Sequence, residues 1–212
     1  MPTIKLIIFD LDGTLVNAYQ AVCESLKYAL GALGYPLADD LTIKRSVGWG
    51  ERNLMSRFVR AEDIDKIISI YRQHHKHSLK RGTKFMPGAK ELLKTLKEKD
   101  FILAVATNRP EWSTNVILSH LRIKDYFSYI LCGDMLKKQK PAPEILEKIL
   151  AKFSLKPNEA LFVGDMTVDV QTGNSAGVPT VAVATGSSTE EELSVLKPFR
   201  IIRNISNLIE II

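Results

Sequence analysis

The chain has 212 residues, 45% of them hydrophobic and 25% charged, with a formal net charge of +5. That length suits one domain, or one domain carrying an insertion, and the composition excludes fibrous and intrinsically disordered chains. Every apolar run is strand-length, which excludes a membrane-spanning helix.

Ile4–Phe9 reads as a fully buried strand, because its apolar residues scarcely alternate. From Tyr19 to Leu33 the period becomes helical, and Gly34-Tyr35-Pro36 stops it. Further helices are predicted at Leu41–Ser46, Glu51–Val59 and Ile64–Leu79, the last with Ile64, Ile67, Ile68, Tyr71 and His75 on one side. No strand is predicted between Asn17 and Lys84. Beyond Met86-Pro87-Gly88 helices and strands alternate. Helices are predicted at Ala89–Glu98, Trp112–His120, Pro143–Phe153 and Thr167–Ala176. The strands between them are Phe101–Ala106, Tyr129–Cys132, Leu161–Val163 and Thr180–Ala184, then Arg200–Ile202 before a terminal helix at Ser206–Ile212. Such alternation implies an α/β fold, a parallel sheet core with helices on both faces and right-handed crossovers. Residues 1–16 and 85–212 would form this Rossmann-like core, and residues 17–84 an inserted α-helical cap.

The cap holds the charge. Between Asn17 and Lys84 there are 12 basic and 7 acidic residues, and elsewhere the signs balance. Such a field draws in anionic substrates; a solvated basic helix surface is the plainer account. No basic stripe with interleaved aromatics points to nucleic acid. Cys23 and Cys132 lack metal or redox spacing and read as free buried thiols. The start lacks the marks of a signal peptide, so a cytoplasmic location is expected, with no membrane partner.

Asp10-Leu11-Asp12-Gly13-Thr14 follows the first strand, Thr107-Asn108 the second, and Gly164-Asp165, with Asp169 four positions on, another. Lys140-Pro141 lies between the last two. Ligands of open parallel sheets bind at the carboxyl ends of strands, so one pocket could gather these groups. Asp10 and Asp12, two apart on an extended segment, project to one side. Close carboxylates divide labour, one ionised and one holding a proton. Thr107 and Asn108 could hold phosphate through hydroxyl, amide and backbone N–H groups, and Lys140 could supply a compact positive charge. Asp165 and Asp169 suit Mg²⁺, while an N-cap at Asp165 is the competing account.

In this order the segments resemble the four motifs of the haloacid dehalogenase-like (HAD) hydrolase superfamily: Asp10–Leu15 the first, Thr107-Asn108 the second, Lys140-Pro141 the third, and Gly164-Asp165 with Asp169 the fourth. The likeness spans essentially the whole chain. The layout looks most like the phosphoglycolate phosphatase group, in cap size, in Val47-Gly48-Trp49-Gly50, and in the tail after Thr185-Gly186. Asn17 and Ala142 depart from it, standing where relatives often have Asp.

The resemblance implies a Mg²⁺-dependent phosphatase acting on a small phosphorylated metabolite, 2-phosphoglycolate or a similar anion, as a monomer or homodimer. Asp10 would attack phosphorus and become an aspartyl-phosphate; Asp12 would serve as acid, then base. Mg²⁺ would meet the Asp10 carboxylate, the Asp12 backbone carbonyl, Asp165 and, directly or through water, Asp169. Thr107 and Lys140 would stabilise the transferring group. Trp49 between glycines either closes over the site, with Arg45 or Arg52 meeting a substrate carboxylate, or packs between cap helices. His74, His75 and His77 crowd one helical turn. His74 and His77 could share a metal, but a solvated helix face is the plainer account. The rival readings are a phosphomutase similar to β-phosphoglucomutase, a non-catalytic phosphate-binding or regulatory protein, and a phospho-receiver domain.

Overall fold

The computed structural model describes residues 3–212; Met1 and Pro2, at the start of the expected core segment, lie outside them. Strand β1 (Leu6–Phe9) is buried along its whole length. Its side chains alternate between two cores. Ile7 and Phe9 pack with Leu92, Leu93 and Leu96 of α5 (Ala89–Glu98) and Ile117 of α6 (Glu111–His120). Leu6 and Ile8 pack with Ile145, Leu146 and Ile149 of α7 (Glu144–Phe153). Apolar residues on both faces explain why the strand sequence does not alternate.

Strand β4 (Ile102–Thr107) lies on one side of β1 and β6 (Ala160–Gly164) on the other. Outside them stand β5 (Tyr129–Cys132) on β4, then β7 (Thr180–Val183) and β8 (Arg200–Ile202) beyond β6. The six-stranded order is β5-β4-β1-β6-β7-β8, and every pair is parallel. The chain winds one way from β1 and then the other, so the topological switch falls at the carboxyl end of β1. Helix α8 (Thr167–Ala176) follows β6.

The insertion leaves through β2 (Val16–Asn17) and returns through β3 (Lys84–Phe85), a two-residue antiparallel ribbon. These strands, unforeseen in the sequence, are too short to show a period. Between them lie α1 (Tyr19–Ala32), α2 (Asp40–Ser46), α3 (Glu51–Met55) and α4 (Ile64–Gly82). They bury an apolar cluster of their own, with Val22, Leu26, Leu30, Ile43, Met55, Ile67 and Tyr71 inside. Helix α3 stops at Met55, short of the expected Val59, where turns take over. Helix α4 runs three residues past the expected Leu79, with Lys80 and Arg81 in a last turn whose dipole favours them.

Two further differences concern the tail. A short helix α9 (Glu190–Val195), unforeseen, is started by a capping box of Thr189 and Glu192. The terminal helix expected at Ser206–Ile212 is a 3₁₀ helix at Ile205–Glu210. Cys23 and Cys132 are free and buried. Among the described residues no helix is long and apolar enough to cross a membrane.

Candidate active site

Register decides what stands beside Asp10. Phe9 is level with Val105 of β4 and with Val163 of β6. Asp10 therefore emerges between Ala106 and Gly164, and its N–H donates to the Val163 carbonyl at 2.8 Å. The chain then turns: Gly13 N–H donates to Val16 O at 2.8 Å and Val16 N–H to Leu11 O at 3.0 Å. Gly13 has φ +81°, and a Cβ there would strike the Asp165 carboxylate. Only glycine meets both demands.

Lys140 joins the separate segments. Its Nζ donates to Asp10 Oδ1 at 2.7 Å, to Asp169 Oδ1 at 2.6 Å and to the Ala106 carbonyl at 3.0 Å. Three partners engage the three protons of an ammonium. Among the described residues Asp165 has only neutral donors, the Thr14 hydroxyl at 3.0 Å and the Ser187 N–H at 3.2 Å. Asp10, Asp165 and Asp169 each present an oxygen, all within 4.8 Å of one another. Burial pushes the Asp10 carboxyl up, Lys140 pulls it back, and Asp169 pushes it up again. Burial, then the Asp169 and Asp10 charges, push Asp165 well up. Three buried carboxylates face one ammonium, so a divalent cation that prefers oxygen ligands fits this donor set.

Thr107 is buried beside them, its Oγ1 accepting from Arg109 N–H at 3.2 Å. The Asn108 amide is committed elsewhere. Its Nδ2 donates to Lys140 O and Gly48 O, both at 3.0 Å, and its Oδ1 accepts from Lys140 N–H at 2.9 Å. The amide expected to grip phosphate here ties the second motif to the third and to the cap loop. One cavity is lined by Asp10, Asp12, Thr107, Asn108, Lys140 and Asp169 from the core, and by Val22, Val47, Leu54, Tyr71 and His75 from the cap.

Residues 7–183 match the sequence profile described as haloacid dehalogenase-like hydrolase. The chain belongs to that family.

Among relatives, a phosphoglycolate phosphatase of Rhodospirillum rubrum is 33% identical over 202 residues, 90% of this chain and 84% of the relative. One from Mannheimia succiniciproducens is 31% identical over 220 residues, 98% of each chain. A solved structure described as a predicted phosphoglycolate phosphatase from Haemophilus somnus superposes with a TM-score of 0.94 at 30% identity, covering 100% of this chain and 99% of the other. This member of the hydrolase family is a phosphatase.

In this HAD phosphatase the cap cations expected to read substrate do not reach the cavity. Arg45 is exposed and pairs with Glu192 at 3.2 Å; Arg52 is exposed and pairs with Asp65. Trp49 and Arg45 line a separate cleft with Thr167, Ser188 and Glu192. Gly48 and Gly50, on either side of Trp49, are what line the cavity that holds Asp10 and Lys140. The physical reason is local: a Cβ at Gly48 would meet Met166 and one at Gly50 would meet Gln139, so the glycines carry the loop onto the core.

Two residues of the cavity went unassigned in the sequence. Arg109, directly after Thr107-Asn108, forms a bidentate pair with Asp12: Nε to Oδ2 at 2.7 Å and Nη2 to Oδ1 at 2.9 Å. A cation one residue past a strand-end phosphate candidate was its signal. His75 is fully buried rather than solvated, its Nε2 3.2 Å from Arg109 Nη1 and its Nδ1 3.0 Å from Ser25 Oγ. Its place on the Ile64–Ile67–Tyr71 stripe was the signal there. His74 and His77 gain no acidic or thiol partner among the described residues; His74 Nδ1 meets the Ser25 and Ser78 hydroxyls.

Proposed function

We propose that this phosphatase hydrolyses a small phosphate monoester, 2-phosphoglycolate or a similar anion, through an aspartyl-phosphate on Asp10, in the cytoplasm and with Mg²⁺. Asp10, Asp165, Asp169 and the Asp12 carbonyl would hold the metal, which when bound neutralises charge on the phosphoryl oxygens. Lys140 fixes Asp10 through Oδ1; among the described residues nothing is bonded to Oδ2, the oxygen left to attack phosphorus. As the P–O ester bond breaks, Asp12 gives its proton to the leaving oxygen. Asp12 then takes a proton from water as that water attacks the acyl phosphate, which returns Asp10 and releases inorganic phosphate. Thr107 and Lys140 stabilise the transferring group, and residues 17–84 act as a cap that keeps bulk water from it.

The observation that carries this reading is the single ammonium of Lys140 bonded at once to Asp10 and Asp169, residues from three different motifs. The test is phosphate release from a panel of monoesters that includes 2-phosphoglycolate. Release should need Mg²⁺, vanish with chelator and return when Mg²⁺ is restored. Equal release with and without a divalent cation, or none from any ester, would overturn it.

A further inference from the structure

Arg109 is placed to do more than neutralise Asp12. Its side chain is only 8% exposed, and it lines the cavity. Asp12 cannot serve a leaving group in this arrangement, because both its oxygens accept from the guanidinium. Arginine keeps its charge at any working pH. The pair therefore opens most readily by exchange, with another anion taking the place of Asp12. Among the described residues lining the cavity the only other Lys or Arg is Lys140, already bonded to two carboxylates. The cap side offers Val22, Val47 and Leu54, which attract no anion, and Tyr71, whose hydroxyl carries no charge to match one. Glu51 also faces the cavity but is neutralised by Arg72, whose Nε lies 2.9 Å from Oε2.

We propose that Arg109 is the residue that reads the acid group of the substrate: the carboxylate of a small phosphorylated hydroxy acid takes the guanidinium fork from Asp12, and Asp12, so released, takes a proton from water and turns to face the ester oxygen it will protonate. This rests on the phosphatase reading above and deepens it. A planar fork suits a carboxylate and accepts it through two parallel bonds. A substrate with no second anion leaves the Asp12–Arg109 pair closed, so acidity of the leaving group is sensed before turnover. His75 is a positioning residue. It touches neither Asp12 nor the reacting atoms, but its Nε2 accepts from Nη1 and holds the guanidinium plane from the cap. Burial keeps this imidazole neutral, which that acceptor role requires.

The experiment compares 2-phosphoglycolate with 2-hydroxyethyl phosphate, the same skeleton with a hydroxymethyl in place of the carboxylate. The readout is the ratio of the two kcat/KM values with Mg²⁺ present. Wild type should favour the acid. Arg109→Gln should lower the ratio by about 10- to 100-fold, the worth of a charge-assisted contact. Arg109→Lys, which keeps a buried cation where the glutamine variant fails to fold, should fall between. His75→Leu should lower the ratio, and His75→Gln, which can still accept from Nη1, should restore it. An unchanged ratio in Arg109→Gln and Arg109→Lys would overturn the inference and leave the phosphatase standing. A wild type that hydrolyses neither ester would overturn both.

Discussion

His75 lies between Ser25 and Arg109, and a guanidinium only donates. Nε2 must then accept, and the ring proton sits on Nδ1, facing Ser25 Oγ. Burial, reinforced by the Arg109 charge, pushes its pKa down to about 2. In the unfolded chain the value returns to about 6.5. Between those values the unfolded chain binds more protons, so stability rises with pH. The contribution is complete above about 6.5 and is lost as pH falls below it, with a slope of up to about 1.4 kcal/mol per pH unit. Denaturant titrations at pH 7.5 and 5.5 should show His75→Gln less sensitive to acid than wild type. Equal sensitivity would mean that the buried ring does not exclude a proton. Asp165 makes the opposite case. With no cation beside it, its carboxylate weighs against the metal-free fold. Asp165→Asn should raise the melting temperature in chelator by a few degrees and abolish the rise that Mg²⁺ produces in wild type. Both are readable by thermal unfolding.

At the scale of elements, the cap helices hold together through their own apolar cluster. Ile67 of α4 is fully buried in it. Ile67→Ala should cost about 2–5 kcal/mol through lost burial and the cavity left behind, measured by urea unfolding. A loss under 1 kcal/mol would show that the cap repacks freely. Apolar strand runs and the longer helices were legible in the sequence. Tyr129–Cys132 and Thr167–Ala176 have the bounds that periodicity and breakers suggest. What escaped was too short to show a period: the β2–β3 ribbon and α9, whose capping box was present in Thr189 and Glu192 all the same. His75 and Arg109 escaped for another reason. Each is a polar residue buried by partners distant in the chain, and a single sequence does not reveal that Arg109 will meet Asp12, 97 positions away. Arg45 and Arg52 are the converse, cap cations whose nearest acids lie on the outer surface.

The whole molecule brings the proposed catalytic set to the carboxyl end of the sheet, at the strand where winding reverses. Register brings Asp10, Ala106 and Gly164 level, and Lys140 closes the gap from the loop before α7. The cap completes the chamber through Gly48 on Asn108 and His75 on Arg109. This much was implied by strand-end motifs, because parallel sheets gather their carboxyl ends whatever lies between them. Which cap side chains turn inward was not, since that depends on loop paths set by Gly48 and Gly50. The claim on which the rest depends is that Asp10 is the nucleophile. Acid quenching of the enzyme during turnover of 2-phosphoglycolate with Mg²⁺, followed by peptide mass spectrometry, tests it directly. A phosphoryl adduct should map to Asp10, and Asp10→Asn should show neither the adduct nor turnover while keeping its circular dichroism. Full turnover in Asp10→Asn, or an adduct on another residue, would contradict it.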